Sequence, residues 1–177
     1  KGLSDAISIR HTKLSPEHFE PLPINILLVD DNEVNQIVAC NFLKLWRVEV
    51  ESALNGKEAI ELVKNKSFDG VLMDLQMPIM NGYDASRNIR SLNDPYFKNI
   101  PIIALTASAT IDVRAKVLEA GMNDYVIKPF RPEDLHDAIL KYMAPHLIQE
   151  RVMVKNNVEP LPVNLEINKY FHLEKFK

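Results

Sequence analysis

From residue 24 to about 144, short apolar runs alternate with stretches in which apolar side chains return every third or fourth position. That alternation predicts strands interleaved with amphipathic helices, the pattern of a βαβ series on a parallel sheet. The first strand is read at residues 24–29. Val34, Ile37, Val38, Phe42 and Leu45 then recur at helical spacing. A second strand at 48–51 is short and alternating, as an edge strand would be. Asn55-Gly56 opens a helix carrying Ala59, Ile60 and Val63. The third strand, 70–73, is apolar throughout and therefore central. A third helix begins near Gly82 and fades before Asn93-Asp-Pro95. The fourth strand is expected at 101–105, where proline at the first position is tolerated. The fourth helix carries Val113 and Val117 and stops at Gly121, a residue suited to the turn past a helix end. The fifth strand covers 124–127. Pro132 then takes the first position of a fifth helix, with Leu135, Ala138, Ile139 and Tyr142 as its buried stripe.

Five βα units make one doubly wound sheet. Residues 24–144 are expected to form that domain. Residues 1–23 read as a linker or N-terminal extension and 145–177 as a C-terminal extension or linker, because the period is missing from both. Glu20-Pro-Leu-Pro-Ile-Asn-Ile26 is echoed by Glu159-Pro-Leu-Pro-Val-Asn-Leu165. Reuse of linker composition is the preferred reading, a second domain beginning beyond Leu161 the alternative.

Composition narrows the picture only slightly. The 177 residues are 46% hydrophobic and 25% charged, ordinary for a globular protein, and the net charge of −3 gives no basic excess for nucleic-acid binding. No apolar run is long enough to span a membrane, so no direct membrane contact is expected. With Cys40 alone, neither an internal disulfide nor a cysteine metal site can form. Cys40 reads as a packing residue. Without an initiator Met or a signal-peptide pattern, the chain reads as a piece of a longer cytoplasmic polypeptide, whose parent is membrane-anchored in one version of that reading.

The chemistry lies where strands end. Asp30 and Asp31 follow the first strand, Asp74 the third, Thr106 the fourth and Lys128 the fifth. All fall at the C-terminal edge, where open α/β sheets form their binding crevice. Strand order 2-1-3-4-5 would set the first and third strands side by side and gather the three acids. Clustered carboxylates repel unless a cation neutralises them, and oxygen-only ligands favour Mg²⁺ or Mn²⁺ over zinc. A lysine and a threonine hydroxyl beside them suit the anionic oxygens of a phosphoryl group.

The wording of these strand ends is that of a known family. Leu-Leu-Val-Asp30-Asp31-Asn-Glu-Val-Asn, Met-Asp74-Leu-Gln-Met-Pro-Ile-Met-Asn-Gly-Tyr-Asp, Ile-Ile-Ala-Leu-Thr106-Ala and Gly-Met-Asn-Asp-Tyr125-Val-Ile-Lys128-Pro129-Phe occur in order. Residues 24–144 resemble a response regulator receiver domain of two-component phosphorelays, most like those fused to hybrid sensor histidine kinases. The resemblance implies a flavodoxin-like, CheY-like three-layer sandwich. It implies that Asp74 is the phosphoacceptor, attacking a phosphohistidine, and that Asp31, Asp74 and the backbone carbonyl of Gln76 ligate Mg²⁺, with Mn²⁺ as a substitute. Asp30 would act through bound water. Lys128 would pair with Asp74 at rest and with the phosphoryl group afterwards. Thr106 would move to bond a phosphoryl oxygen and Tyr125 would turn into the vacated space. Ala107 would keep the approach open, and the Lys128–Pro129 bond would be cis. Implied partners are a histidine kinase or histidine phosphotransfer domain, with weak homodimerisation through the fourth helix, fifth strand and fifth helix. The domain itself would be a signalling phosphoacceptor, its parent a kinase. Arg47 departs from the family, standing where many relatives end the first helix with glycine, and would have to close that turn or accept positive φ.

Blander readings compete for each residue. A lone strand-end Asp is most often a helix cap, and Asp31 could cap and bind metal together. Only Asp30, Asp31, Asp74, Thr106 and Lys128 in register favour the functional reading. His11 and His18 lie on no convincing amphipathic helix, and His136 and His146 are expected as exposed helix residues. An aspartyl-phosphate phosphatase would want Asp-x-Asp on its first strand, where this chain has adjacent acids. A stand-alone regulator or phosphate-sink interaction module stays open, whereas P-loop chemistry is excluded because Gly-x-x-x-x-Gly-Lys is absent.

Overall fold

The apolar run Ile26-Leu-Leu-Val29 has no polar face, so its strand must be covered on both sides. In the computed structural model, which describes residues 22–144, that strand is the second of five parallel strands. The strands are β1 (Asn25–Val29), β2 (Glu49–Ala53), β3 (Gly70–Asp74), β4 (Ile102–Thr106) and β5 (Asp124–Ile127), in sheet order β2-β1-β3-β4-β5. The order and the edge place of β2 agree with the sequence reading. The helices are α1 (Glu33–Leu45), α2 (Gly56–Asn65), α3 (Gly82–Ser91), α4 (Pro95–Asn99), α5 (Ile111–Glu119) and α6 (Pro132–Tyr142). The fourth and fifth helices expected from sequence are therefore α5 and α6. Five-residue α4, started by the Asp94 cap on the Tyr96 N–H, is too short to show a period and was not expected. Of the N-terminal extension expected at 1–23, Leu22 is fully buried and its N–H donates to the Trp46 carbonyl at 2.6 Å, so the folded part begins slightly before residue 24. Residues 1–21 and 145–177, with the echo at 159–165 and His11, His18 and His146, lie outside the described residues.

Alternate residues of each strand face opposite layers. Leu27, Val29, Val71, Met73, Ile102 and Ala104 pack on buried residues of α2, α3 and α5. Ile26, Leu28, Leu72, Ile103 and Leu105 are just as buried, as are Ala39, Leu43 and Trp46 of the α1 layer and Leu135 and Ile139 of α6. Trp46 meets His136 edge-on at 4.9 Å between ring centroids. His136 is thus buried, contrary to expectation, because a ring at that point of α6 fills the gap beside the tryptophan.

Helix α1 forms where the spacing predicts it. Its three-and-four spacing marks a helix but not its buried side, since Val34, Ile37, Val38 and Leu45 are exposed, at 66, 59, 43 and 60%. The buried side of the helix is carried by Ala39 and Leu43 instead. Past α1, Arg47 does accept a positive φ of 57°. At the other end of β3, Gly82 is forced by space, since a Cβ there would come within 2.2 Å of the Asp74 carbonyl oxygen.

Candidate functional site

Pairing of β1 with β3, Val29 opposite Met73, sets the residues that follow side by side at the C-terminal edge. Carboxylate oxygens of Asp30, Asp31 and Asp74 lie within 4.8 Å of one another. Asp30 and Asp74 are buried and Asp31 is exposed. Lys128, delivered by the turn after β5 through a cis bond to Pro129, reaches both buried acids, 2.6 Å to Asp30 Oδ2 and 3.0 Å to Asp74 Oδ2. The lysine expected on Asp74 is therefore shared, with the shorter contact to Asp30.

Three carboxylates around one ammonium leave the cluster short of positive charge. Burial pushes the Asp74 carboxyl above its ordinary value; the hydrogen bond and charge of Lys128 oppose that rise and nearby Asp30 adds to it. Clustered oxygen donors with neither histidine nor cysteine fit a hard divalent cation such as Mg²⁺. The Gln76 N–H donates to Asp74 Oδ1 at 3.4 Å, which sets Gln76 directly beside the acceptor.

On its other side Asp74 borders a cavity of about 220 Å³ that Thr106, Ala107, Ser108, Tyr83 and Lys128 also line. Gln76 lines it too, whereas Asp30 and Asp31 do not, so Asp74 is the one acid of the cluster that opens onto the threonine hydroxyl's side. The Thr106 hydroxyl is turned into its own loop, donating to the Ser108 carbonyl at 3.0 Å and accepting the Ser108 N–H at 3.2 Å. Tyr125 is half-buried against the core and borders a groove of the β5–α6 surface, away from that cavity.

Sequence reasoning missed several residues here. Tyr83 lines the acceptor cavity, and although it stands inside the motif that holds Asp74, the sequence reading assigned it no role. Ile79 has φ 67° and 79% exposure in a three-residue turn closed by Met80 N–H to the Pro78 carbonyl at 2.7 Å. Positive φ costs a β-branched residue about 1–3 kcal/mol, and nothing in local composition signals it. Asn35 and Gln36 hold Asp30, and here a signal existed: Asn stands three residues after the Asn32 cap, where a capping box would put Glu or Gln.

Known proteins resemble this chain in sequence and fold. The family described as response regulator receiver domain matches residues 26–140. The signal transduction histidine-protein kinase BarA of Escherichia coli is 38% identical over 143 residues, 81% of this chain. This chain spans only 15–16% of the length of such curated relatives. Among solved structures, the receiver domain of a Pseudomonas aeruginosa sensor histidine kinase, with magnesium coordinated in its active-site cleft, superposes with a TM-score of 0.64 at 37% identity. That match covers 69% of this chain and 98% of that one. The Saccharomyces cerevisiae receiver domain of Ssk1, crystallised with the histidine phosphotransfer protein Ypd1, gives 0.64 at 30% identity, covering 70% and 91%. With five strands in the family's order and its acids, hydroxyl and lysine at one edge, the chain belongs to the response regulator receiver domain family.

Proposed function

We propose that Asp74 takes a phosphoryl group from a phosphohistidine in a Mg²⁺-dependent transfer. The observation that carries this is the Asp74 carboxylate, bonded to Lys128 on one oxygen and opening onto a cavity lined by Thr106 and Ala107. A carboxylate oxygen attacks phosphorus, the P–N bond breaks, and its electron pair leaves on the imidazole nitrogen, giving an acyl phosphate and a histidine. Lys128 then follows the new charge from carboxylate to phosphoryl oxygen. Asp31, Asp74 and the Gln76 carbonyl would hold the cation, with Asp30 reaching it through water. Mg²⁺ is favoured over Mn²⁺ as the resident ion, and it would neutralise charge on the transferring group.

The donor, a histidine kinase or phosphotransfer domain, is proposed to dock on the rim beside α1, where Val34, Ile37 and Val38 lie uncovered. The relatives favour a hybrid-kinase parent. Among the described residues no helix is long and apolar enough to cross a membrane. A cytoplasmic place for this domain belongs to the same proposal, as the side on which it would meet its phosphohistidine donor. For output, drawing Thr106 toward a phosphoryl oxygen breaks both bonds to Ser108 and shifts the segment leading into α5. That helix is lightly held: Thr110 makes no side-chain cap bond and Val117 is its one buried residue. The α5–β5–α6 face, with Ile111, Leu118 and Ile127 exposed, is therefore the proposed surface for output or weak self-association.

Incubation with acetyl phosphate and Mg²⁺ should add the mass of one phosphoryl group, and Asp74→Asn should abolish the addition while the fold survives. Undiminished labelling of that variant would sink the assignment. Amide NMR with beryllofluoride tests the output face; shifts absent from α5, β5 and α6 would contradict it.

A further inference from the structure

Asp30 stands where three donors meet. Its Oδ1 accepts the Asn32 backbone N–H at 2.9 Å and the Asn35 side-chain amide at 3.2 Å, while Oδ2 accepts Lys128 at 2.6 Å. An ionised carboxylate offers about four lone-pair sites, so Oδ1 is filled and Oδ2 keeps a single vacancy. The side chain is 1% exposed. Its backbone is clipped as well, since Gln36 Nε2 bridges the Asp30 carbonyl at 2.7 Å and the Ala53 carbonyl at 3.1 Å.

This inverts an ordinary helix start. In a capping box the cap side chain accepts an N–H from the first turn, and Glu or Gln three residues on accepts the cap's own N–H in return. Asn32 does its half, accepting the Val34 and Asn35 N–H groups at 2.9 and 3.3 Å. Its own N–H goes to Asp30, and residue 35 donates to that same oxygen. Glu at 35 would complete the box by placing a fourth carboxylate among three. Asn replaces that acceptor with a donor.

We propose that Asn35 is a positioning residue of the site, holding Asp30 toward α1 and Lys128 so that Asp30 anchors the lysine and meets the cation only through water. The proposal rests on the reading of Asp74 as a Mg²⁺-dependent phosphoacceptor. Without the Asn35 amide, Oδ1 regains a lone pair and Asp30 turns toward Asp31 and Asp74 as an additional direct ligand. Mg²⁺ then binds more tightly. Lys128 loses its anchor and transfer slows. A residue that merely supported the fold would weaken both together.

The test is a cycle of Asn35→Ala, Asp30→Asn and the double variant, with two readouts. Mg²⁺ affinity is read from amide shifts of residues 74–76, and the labelling rate from acetyl phosphate at saturating Mg²⁺. Alanine is the better helix former, so the Asn35 variant keeps α1. Asn35→Ala should tighten Mg²⁺ about three- to tenfold and slow labelling by about the same factor, and both effects should vanish when residue 30 is already Asn. Undiminished effects in the Asp30→Asn background, or weaker binding together with slower labelling, would overturn the positioning role and leave Asp74 untouched. An unsubstituted chain that takes no label would overturn both.

Discussion

The two edges of the sheet solve the burial of polar groups in opposite ways. At the N-terminal edge Arg90 sends Nε to the Gly121 carbonyl, Nη1 to Phe97 and Nη2 to Ile100, at 2.7–2.8 Å, with a further contact to the Asn123 side chain at 3.3 Å. Beside it the Tyr96 hydroxyl accepts the Phe68 N–H at 2.7 Å and donates to the Phe68 carbonyl at 3.2 Å, and the Asn123 side-chain Oδ1 accepts the Ile102 N–H at 2.8 Å. Each donor meets a partner, backbone or side chain, within the protein itself. At the C-terminal edge two of three clustered carboxylates share one lysine, Asp31 is left without it, and the threonine hydroxyl is occupied by its own turn. One edge is satisfied and closed. The other is satisfied only when a cation arrives, so it can respond to one.

The sharpest way to break the comparison is Arg90→Ala. It strips the buried carbonyls of their donors and should cost about 2–4 kcal/mol in denaturant unfolding. Labelling of the still-folded protein should be unchanged, and a loss of labelling would show that the two edges are coupled. Lys128→Met should cost about 2 kcal/mol without Mg²⁺, because two buried acids lose their counter-charge, and millimolar Mg²⁺ should restore most of it. Labelling should fall at least about tenfold.

Mg²⁺ at ~10 mM, with a Kd near ~1 mM, should stabilise the unsubstituted protein by about 1.4 kcal/mol. Asp31→Ala should remove more of that gain than Asp30→Ala, while N-terminal-edge variants keep it. The smallest effect belongs to Asp74→Asn. A carboxyl raised in the folded state binds protons more readily there than in the unfolded chain, so ionised Asp74 lowers stability at neutral pH. That penalty grows as pH rises from the ordinary value of 3.8 through the raised one. Asp74→Asn should therefore gain stability at pH 7, by less than any change above, and the gain should fade as pH falls toward the ordinary carboxyl value of 3.8. A gain independent of pH would assign it to packing.

The C-terminal edge was the more legible in sequence. Its acids, threonine and lysine each end an apolar run, and runs locate strand ends to within a residue or two. The N-terminal edge was illegible because Arg90, Tyr96 and Asn123 bond backbone carbonyls and N–H groups, which any sequence provides. The face of α1 was misleading for a related reason. Val34, Ile37 and Val38 carry the period of a core stripe, yet the core is closed by Ala39 and Leu43, and a surface kept apolar for a partner has the same period as one kept apolar for the interior. His136 was misplaced because its neighbour, Trp46, lies ninety residues away along the chain.

Gly82 carries the last consequence. No atom of it takes part in the chemistry, yet any side chain there would press on the backbone of Asp74 itself. In a survey of naturally occurring or randomly generated alleles, position 82 would be as intolerant as the acceptor. A geneticist ranking positions by harm would list it among the reactive residues, although what it contributes is an empty space.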